Sequence, residues 1–242
     1  MKKRILTMGV VMMLSLVFAA CGKTTEPVDP TEAPIETTAP TATEIPVATP
    51  EPTETLDKED TYAKGIITEE GFESEWMGLR FTKPATVVMA TQEEMDAVML
   101  NGLRAMYGEE AEAMFDYADL TTVNEMQATW LAGSPVVQVV VEKMPTAGWT
   151  AEAYLATMMA NVMATSETSG IVYTMEGDTY AKELAGQEFT GLTVSADIGA
   201  GAPVYQDYLV KEKDGRMIMV AFTYVEALEA YLQEALDAFS AY

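Results

Sequence analysis

The chain contains no histidine and only one cysteine in 242 residues. Losing histidine removes the commonest general base and the commonest metal ligand. Ser-His-Asp and Cys-His catalytic arrangements are therefore excluded, as are zinc sites built on histidine. With Cys21 as the only thiol, the chain has no internal disulfide and no thiolate cluster. Positive charge is scarce as well: 14 Lys and Arg stand against 38 Asp and Glu, a formal net charge of −24. Such a field repels nucleic acid, so no nucleic-acid partner is expected. A G-x-S-x-G elbow, a P-loop, an S-x-x-K pair and a D-x-[DN]-x-[DN]-G calcium loop are all missing. No cofactor and no metal site is expected.

What is present begins at the N-terminus. Lys2, Lys3 and Arg4 precede an apolar run from Ile5 to Phe18, broken only by Thr7, Gly9 and Ser15. This is the charged start and apolar core of a secretory signal. At a helical rise the run spans roughly 21 Å, short of the roughly 30 Å needed to cross a bilayer core. Ala19-Ala20 then lead directly into Cys21. The stretch Leu16-Val17-Phe18-Ala19-Ala20-Cys21 resembles the lipobox of bacterial lipoproteins, with Phe18 where that family more often has leucine. The resemblance implies removal of residues 1–20 and a diacylglyceryl group on the Cys21 sulfur. Two acyl chains meet the requirement for stable anchoring, where one is marginal. The expected address is the extracytoplasmic face of a cell membrane.

Residues 21–61 read as a tether. Pro27, Pro30, Pro34, Pro40, Pro46, Pro50 and Pro52 fall here among threonine, alanine and acidic residues, and no aromatic residue occurs between Phe18 and Tyr62. Such a segment buries too little apolar surface to offset its ordering entropy, so disorder with polyproline II bias is expected. Its reach is roughly 120 Å if fully extended in that form.

Residues 62–242 have the size and patterning of one globular α+β domain. Met77, Leu79 and Phe81 alternate in a strand over Glu75–Thr82, and Val87–Met89 make a second. Thr91 with Glu94 forms a capping box, opening a helix whose stripe is Met95, Val98, Met99, Leu103 and Met106. Thr122–Leu131 and Pro135–Met144 read as a hairpin, and the nearly unbroken apolar run Val136–Val141 predicts a central strand covered on both faces. A second helix starts at Thr150, with Tyr154, Leu155, Met158, Met159, Val162 and Met163 as its buried stripe. Strands follow at Gly170–Met175, Tyr180–Leu184, Phe189–Ala196, Pro203–Lys211 and Arg216–Tyr224, the last two joined by Asp214-Gly215. A third helix spans Glu226–Phe239, its inner face Leu228, Tyr231, Leu232, Leu236 and Phe239. The order predicts a single, mostly antiparallel sheet flanked by three amphipathic helices, an α/β/α sandwich.

Gly78-Leu79-Arg80-Phe81-Thr82-Lys83-Pro84 resembles the opening G-x-x-F-x-x-P strand of the Mog1/PsbP-like sandwiches. The Lys213-Asp214-Gly215-Arg216 hairpin, the strand Ala221–Tyr224 and a closing amphipathic helix are similar to the end of that fold. The tryptophan signature after the proline is absent, with Ala85-Thr86 in its place. The resemblance implies a docking module and transfers no site residues.

Carboxylates remain as candidate chemistry: Glu109, Glu110 and Glu112, or Asp116 with Asp119, read first as solvated acidic segments. Gly199-Ala200-Gly201 leads into a strand rather than a helix N-terminus, so it reads as a sheet connection and not a phosphate loop. Met95, Met99, Met106, Met158, Met159 and Met163 fall on the helical stripes, and the methionines read as core filler rather than copper ligands. Trp76, Trp130 and Trp149 read as core or staple residues. Lys211, Lys213 and Arg216 form the one basic cluster of the domain, expected to be a solvated turn. The expected function is a non-catalytic binding or assembly module held at the membrane through Cys21, with a protein or cell-envelope partner. The alternatives are a solute-binding lipoprotein of a transport system, which a two-lobed hinge would favour, and a carboxylate enzyme, which needs two buried acids facing one pocket.

Overall fold

The computed structural model describes residues 61–242, apart from 108, 110, 114, 116–120 and 200. Cys21, the signal-like segment and nearly all of the tether lie outside the described residues, as do Glu110, Asp116 and Asp119. Among the described residues no helix is long and apolar enough to cross a membrane.

The strands form two sheets rather than the single sheet expected. The larger holds β4 (Val87–Met89), β5 (Thr122–Trp130), β6 (Val136–Lys143), β7 (Val172–Met175), β8 (Tyr180–Leu184), β9 (Gln187–Asp197), β10 (Val204–Lys213) and β11 (Arg216–Val225). Its order is β4-β5-β6-β11-β10-β9-β7, and β8 also pairs with β9. The smaller sheet runs β1-β2-β3-β12, from β1 (Ile66–Thr68), β2 (Gly71–Ser74), β3 (Leu79–Thr82) and β12 (Phe239–Ala241). Every pairing in both sheets is antiparallel.

Three helices are described from end to end: α1 (Gln92–Tyr107), α2 (Ala151–Ser169) and α3 (Ala230–Asp237). The capping box of α1 is reciprocal. Thr91 N donates to Glu94 Oε2 at 2.8 Å, and Glu94 N donates to Thr91 Oγ1 at 3.3 Å. Met95, Met99 and Leu103 of its stripe are buried, while the side chain of Met106 lies outside those described. Thr150 caps α2 by accepting from Ala153 N at 3.2 Å. Tyr154, Leu155, Met158, Met159 and Val162 then pack on Val140, Leu192, Val194, Tyr208, Val210 and Met219 of the large sheet. Each fully buried side chain of this size contributes about 2 kcal/mol. Met163, expected in this stripe, is exposed.

Against the opposite face lies the small sheet together with α3. Phe72, Leu79, Phe81 and Phe239 share one core with Val139, Val141, Val220 and Phe222. Phe239 meets Phe81 edge-on at 5.1 Å and Phe222 at 6.0 Å between ring centroids. The layer opposite α2 is thus mainly sheet, with one short helix beside it. The expected third helix is shorter than its pattern: a 3-10 turn at Glu226–Leu228, then α3, then a strand. Phe239 sits at helical spacing from Leu232 and Leu236 in the sequence, but pairs with Phe81 in β12.

The turn from β1 to β2 depends on Gly71, which has φ of +143°. A Cβ there would stand 1.9 Å from the carbonyl oxygen of Phe81 in β3. Gly133 also has a positive φ, of +84°, but nothing lies within 4 Å of a Cβ there. Gly71→Ala is expected to lower unfolding free energy by about 3 kcal/mol, and Gly133→Ala by about 1–2 kcal/mol. Guanidinium unfolding midpoints check this, and equal losses would refute the close approach of β2 to β3.

Candidate functional site

Half-burial of α3 defines the site. Ala235 is its one buried residue, Leu232 and Leu236 are half-buried, and Tyr231 is exposed. The two leucines stop short of full burial because a groove of about 260 Å³ runs between α3 and the large sheet. Asp207 and Leu209 of β10 and Phe222 of β11 line it from the sheet. Tyr180 and Lys182 of β8 form the outer wall, and Glu229 and Gln233 the rim by α3.

Register places the polar groups. Asp207 pairs with Thr193 on one side and Phe222 on the other, so the three side chains share a face. Thr193 Oγ1 donates to Asp207 Oδ1 at 2.8 Å, and the Tyr224 hydroxyl donates to the same oxygen at 3.5 Å. The Thr193 proton is committed to Asp207, so the Tyr180 hydroxyl, 3.3 Å from Thr193 Oγ1, is the donor in that contact. Tyr180 in turn lies over Gly191, where a Cβ would come within 2.4 Å of its ring. Tyr224 is held by stacking on Tyr205 at 5.7 Å.

Burial raises the Asp207 carboxyl above the usual carboxylate range, against the lowering effects of Thr193, Tyr224 and the Lys182 charge. Burial and the Asp207 charge push the Tyr224 hydroxyl well above its ordinary value. Asp207 is half-buried and Glu229 exposed, so the groove does not hold the two buried acids that a carboxylate enzyme would need. The arrangement can seat a small group with an apolar body and orient it against one carboxylate.

The residues singled out in the sequence lie elsewhere. Glu109 and Glu112 are exposed, and Glu112 Oε1 is 3.5 Å from Arg104 Nη2. Gly199 and Gly201 lie in the β9–β10 connection. Trp130 is buried and donates from Nε1 to Glu234 Oε2 of α3 at 2.8 Å. Trp149 packs beside α2. The basic cluster is no solvated turn. Lys213 donates to the Trp76 carbonyl and lies 5.3 Å from the ring centroid. Buried Arg216 lies 4.2 Å above the Tyr62 ring, and Lys211 Nζ donates to Gln187 Oε1 at 2.9 Å. Asp207 was missed. Its signal was an acid amid Val204–Val210, since aspartate is depleted in strands.

Two further acids are buried away from the groove. A bulge between Asn124 and Met126 turns Glu125 inward, where it accepts from the Tyr62 hydroxyl and from Gly65 N. Glu142, beneath α2, accepts from the Tyr154 hydroxyl at 2.8 Å, and burial pushes its carboxyl up from 4.5 to about 7.

No family model and no curated protein matches the chain. Among solved structures it is similar to cyanobacterial PsbP (CyanoP) from Synechocystis sp. PCC 6803, with a TM-score of 0.43 and 13% identity over 70% of this chain and 89% of that one. It is also similar to a protein of unknown function from Pseudomonas aeruginosa, with a TM-score of 0.28 and 13% identity over 41% of this chain and 66% of the other. At these scores neither likeness assigns an activity or a partner.

Glu142 gives a pH prediction. Its folded-state pKa lies above 4.5, so the folded protein holds a proton that the unfolded chain releases. Its contribution is fully present below pH 4.5 and declines as pH rises through about 7. Unfolding free energy should fall by about 3 kcal/mol across that window on its account. Glu125 and Asp207, also raised by burial, act in the same direction. Glu142→Gln should flatten most of the slope in urea unfolding run from pH 5 to pH 8. An unchanged slope would contradict the assignment.

Proposed function

We propose that this chain is a lipid-anchored extracytoplasmic lipoprotein whose folded part is a non-catalytic binding or assembly module. One observation carries the binding role: the apolar stripe of α3 is left half-buried over an open groove, with Leu232 and Leu236 facing Leu209 and Phe222. A helix that served stability alone would bury that stripe against the sheet. The anchoring role rests on the lipobox-like Leu16–Cys21, and the spacing role on the proline-rich tether. Absence of histidine, with the only cysteine committed to the anchor, favours binding over catalysis. The architecture is proposed to be of the Mog1/PsbP-like kind: Gly78–Pro84 supplies β3 and its end, and the Asp214-Gly215 hairpin leads through β11 to α3. The partner is a protein or another component of the cell envelope, met away from the lipid surface.

Cys21→Ser is expected to abolish incorporation of labelled fatty acid and to move the protein out of the membrane fraction. Retention of label would overturn the anchor. In the anchored chain, a photo-reactive residue at Gln233, on the groove rim, should give an adduct that the same residue at Met163, on the exposed side of α2, does not. Equal yields, or an adduct from Met163 only, would overturn the groove as the binding surface.

A further inference from the structure

We infer that the groove beside α3 takes a primary ammonium group on a short apolar stem, either a free alkylamine or a lysine side chain. This deepens the binding role proposed above and rests on it. The volume, about 260 Å³, fits a group the size of one long side chain. Its walls divide by chemistry. Leu209, Phe222, Leu232 and Leu236 offer an apolar channel for the stem, and Asp207 stands among them as an acceptor for the head.

The carboxylate is prepared for that role. Both hydrogen bonds from Thr193 and Tyr224 land on Oδ1. They fix the plane of the group and leave Oδ2 for an incoming donor. A cation within hydrogen-bond distance of a partly desolvated carboxylate gains a charge-assisted bond, roughly twice as strong as a neutral one. Glu229 on the rim adds negative charge, while Lys182 on the opposite wall is exposed and offsets part of it. An anion would meet both acids.

Charge also selects among occupants. The tether is acidic, with Lys23 and Lys58 outnumbered by its Asp and Glu residues, so the field repels it. A second copy of a chain carrying −24 is repelled for the same reason. A cation is steered in and an anion is not.

The test uses the full chain with Cys21→Ser, isotopically labelled, at physiological salt. Amide shifts are followed during titration with n-pentylammonium, n-pentanol, pentanoate and N-acetyl-lysine methylamide. Pentylammonium should bind about tenfold more tightly than pentanol, with shifts concentrated at Leu209, Phe222 and Leu232. Pentanoate should not bind. Asp207→Asn should remove the advantage of the ammonium while leaving pentanol unaffected. Asp178→Asn, which makes the same charge change on the exposed surface, should leave it intact. Lys182→Met should tighten ammonium binding. Saturation by N-acetyl-lysine methylamide at concentrations like those of pentylammonium points to a protein lysine, and binding of pentylammonium alone to a free amine. Equal affinity for pentylammonium and pentanol overturns the ammonium assignment but leaves the groove a binding surface. No shift at the groove from any probe also overturns it, while the crosslinking yields decide the binding role independently. An equal loss of affinity in Asp207→Asn and Asp178→Asn reduces the effect to the general field and overturns it too.

Discussion

The large sheet has to be covered on both faces, and the rest of the structure follows from that. β6 and β11 carry apolar side chains toward both sides, and nearly every residue of the two strands is buried. Neither strand can leave a face in water without exposing valine, isoleucine or phenylalanine. No disulfide is available to compensate, so two layers must be supplied by the chain itself. One layer is α2; α1 packs on β5, where Asn124 Nδ2 donates to Met99 Sδ at 3.5 Å. The other is assembled from the two ends of the described chain: β1 to β3 from the start, and α3 with β12 from the finish. Because that second layer is built from short pieces, it covers the sheet unevenly. The groove lies where α3 spans the gap toward β8.

The large sheet was legible because each of its long strands carries its own signal. The unbroken apolar run of β6, the turn at Asp214-Gly215 and the capping residues Thr91 and Thr150 each act locally. Their boundaries came out within a few residues of those observed. Of the second sheet only β3 was legible, as the end of the strand read over Glu75–Thr82; the rest was not, for reasons of length and context. β1 and β12 have three residues each and β2 has four, too short for a period to declare itself. β2 also contains Gly71 and Glu73, neither favoured in strands. Phe239 misled in a different way. Its spacing from Leu232 and Leu236 fits a helix, and only the contact with Phe81, distant in sequence, decides that it is a strand residue. The groove was hidden for the same reason. Asp207, Thr193, Tyr180 and Glu229 are brought together by cross-strand register and by the placement of α3, which no single stretch encodes.

The scarce cations show how composition becomes architecture. Lys211 donates to Gln187, whose amide donates onward to the carbonyls of Met77 and Gly78 at 3.1 and 2.9 Å. Lys213 reaches the Trp76 carbonyl, and Arg216 covers Tyr62. These residues brace the β10–β11 hairpin against the segment that enters β3, across the seam between the two sheets. Desolvated cations held over aromatic rings and carbonyls are worth more than the same charges in surface pairs. Having gone to the seam, they do little to neutralise the acids elsewhere. The fold therefore adds to what composition dictates, since three of the few cations serve the seam rather than the acidic surface. Around Asp207 the counter-charge is Lys182, which is exposed. A half-buried carboxylate faced by a solvent-exposed lysine keeps part of its charge unneutralised, and the proposed ammonium binding rests on that charge.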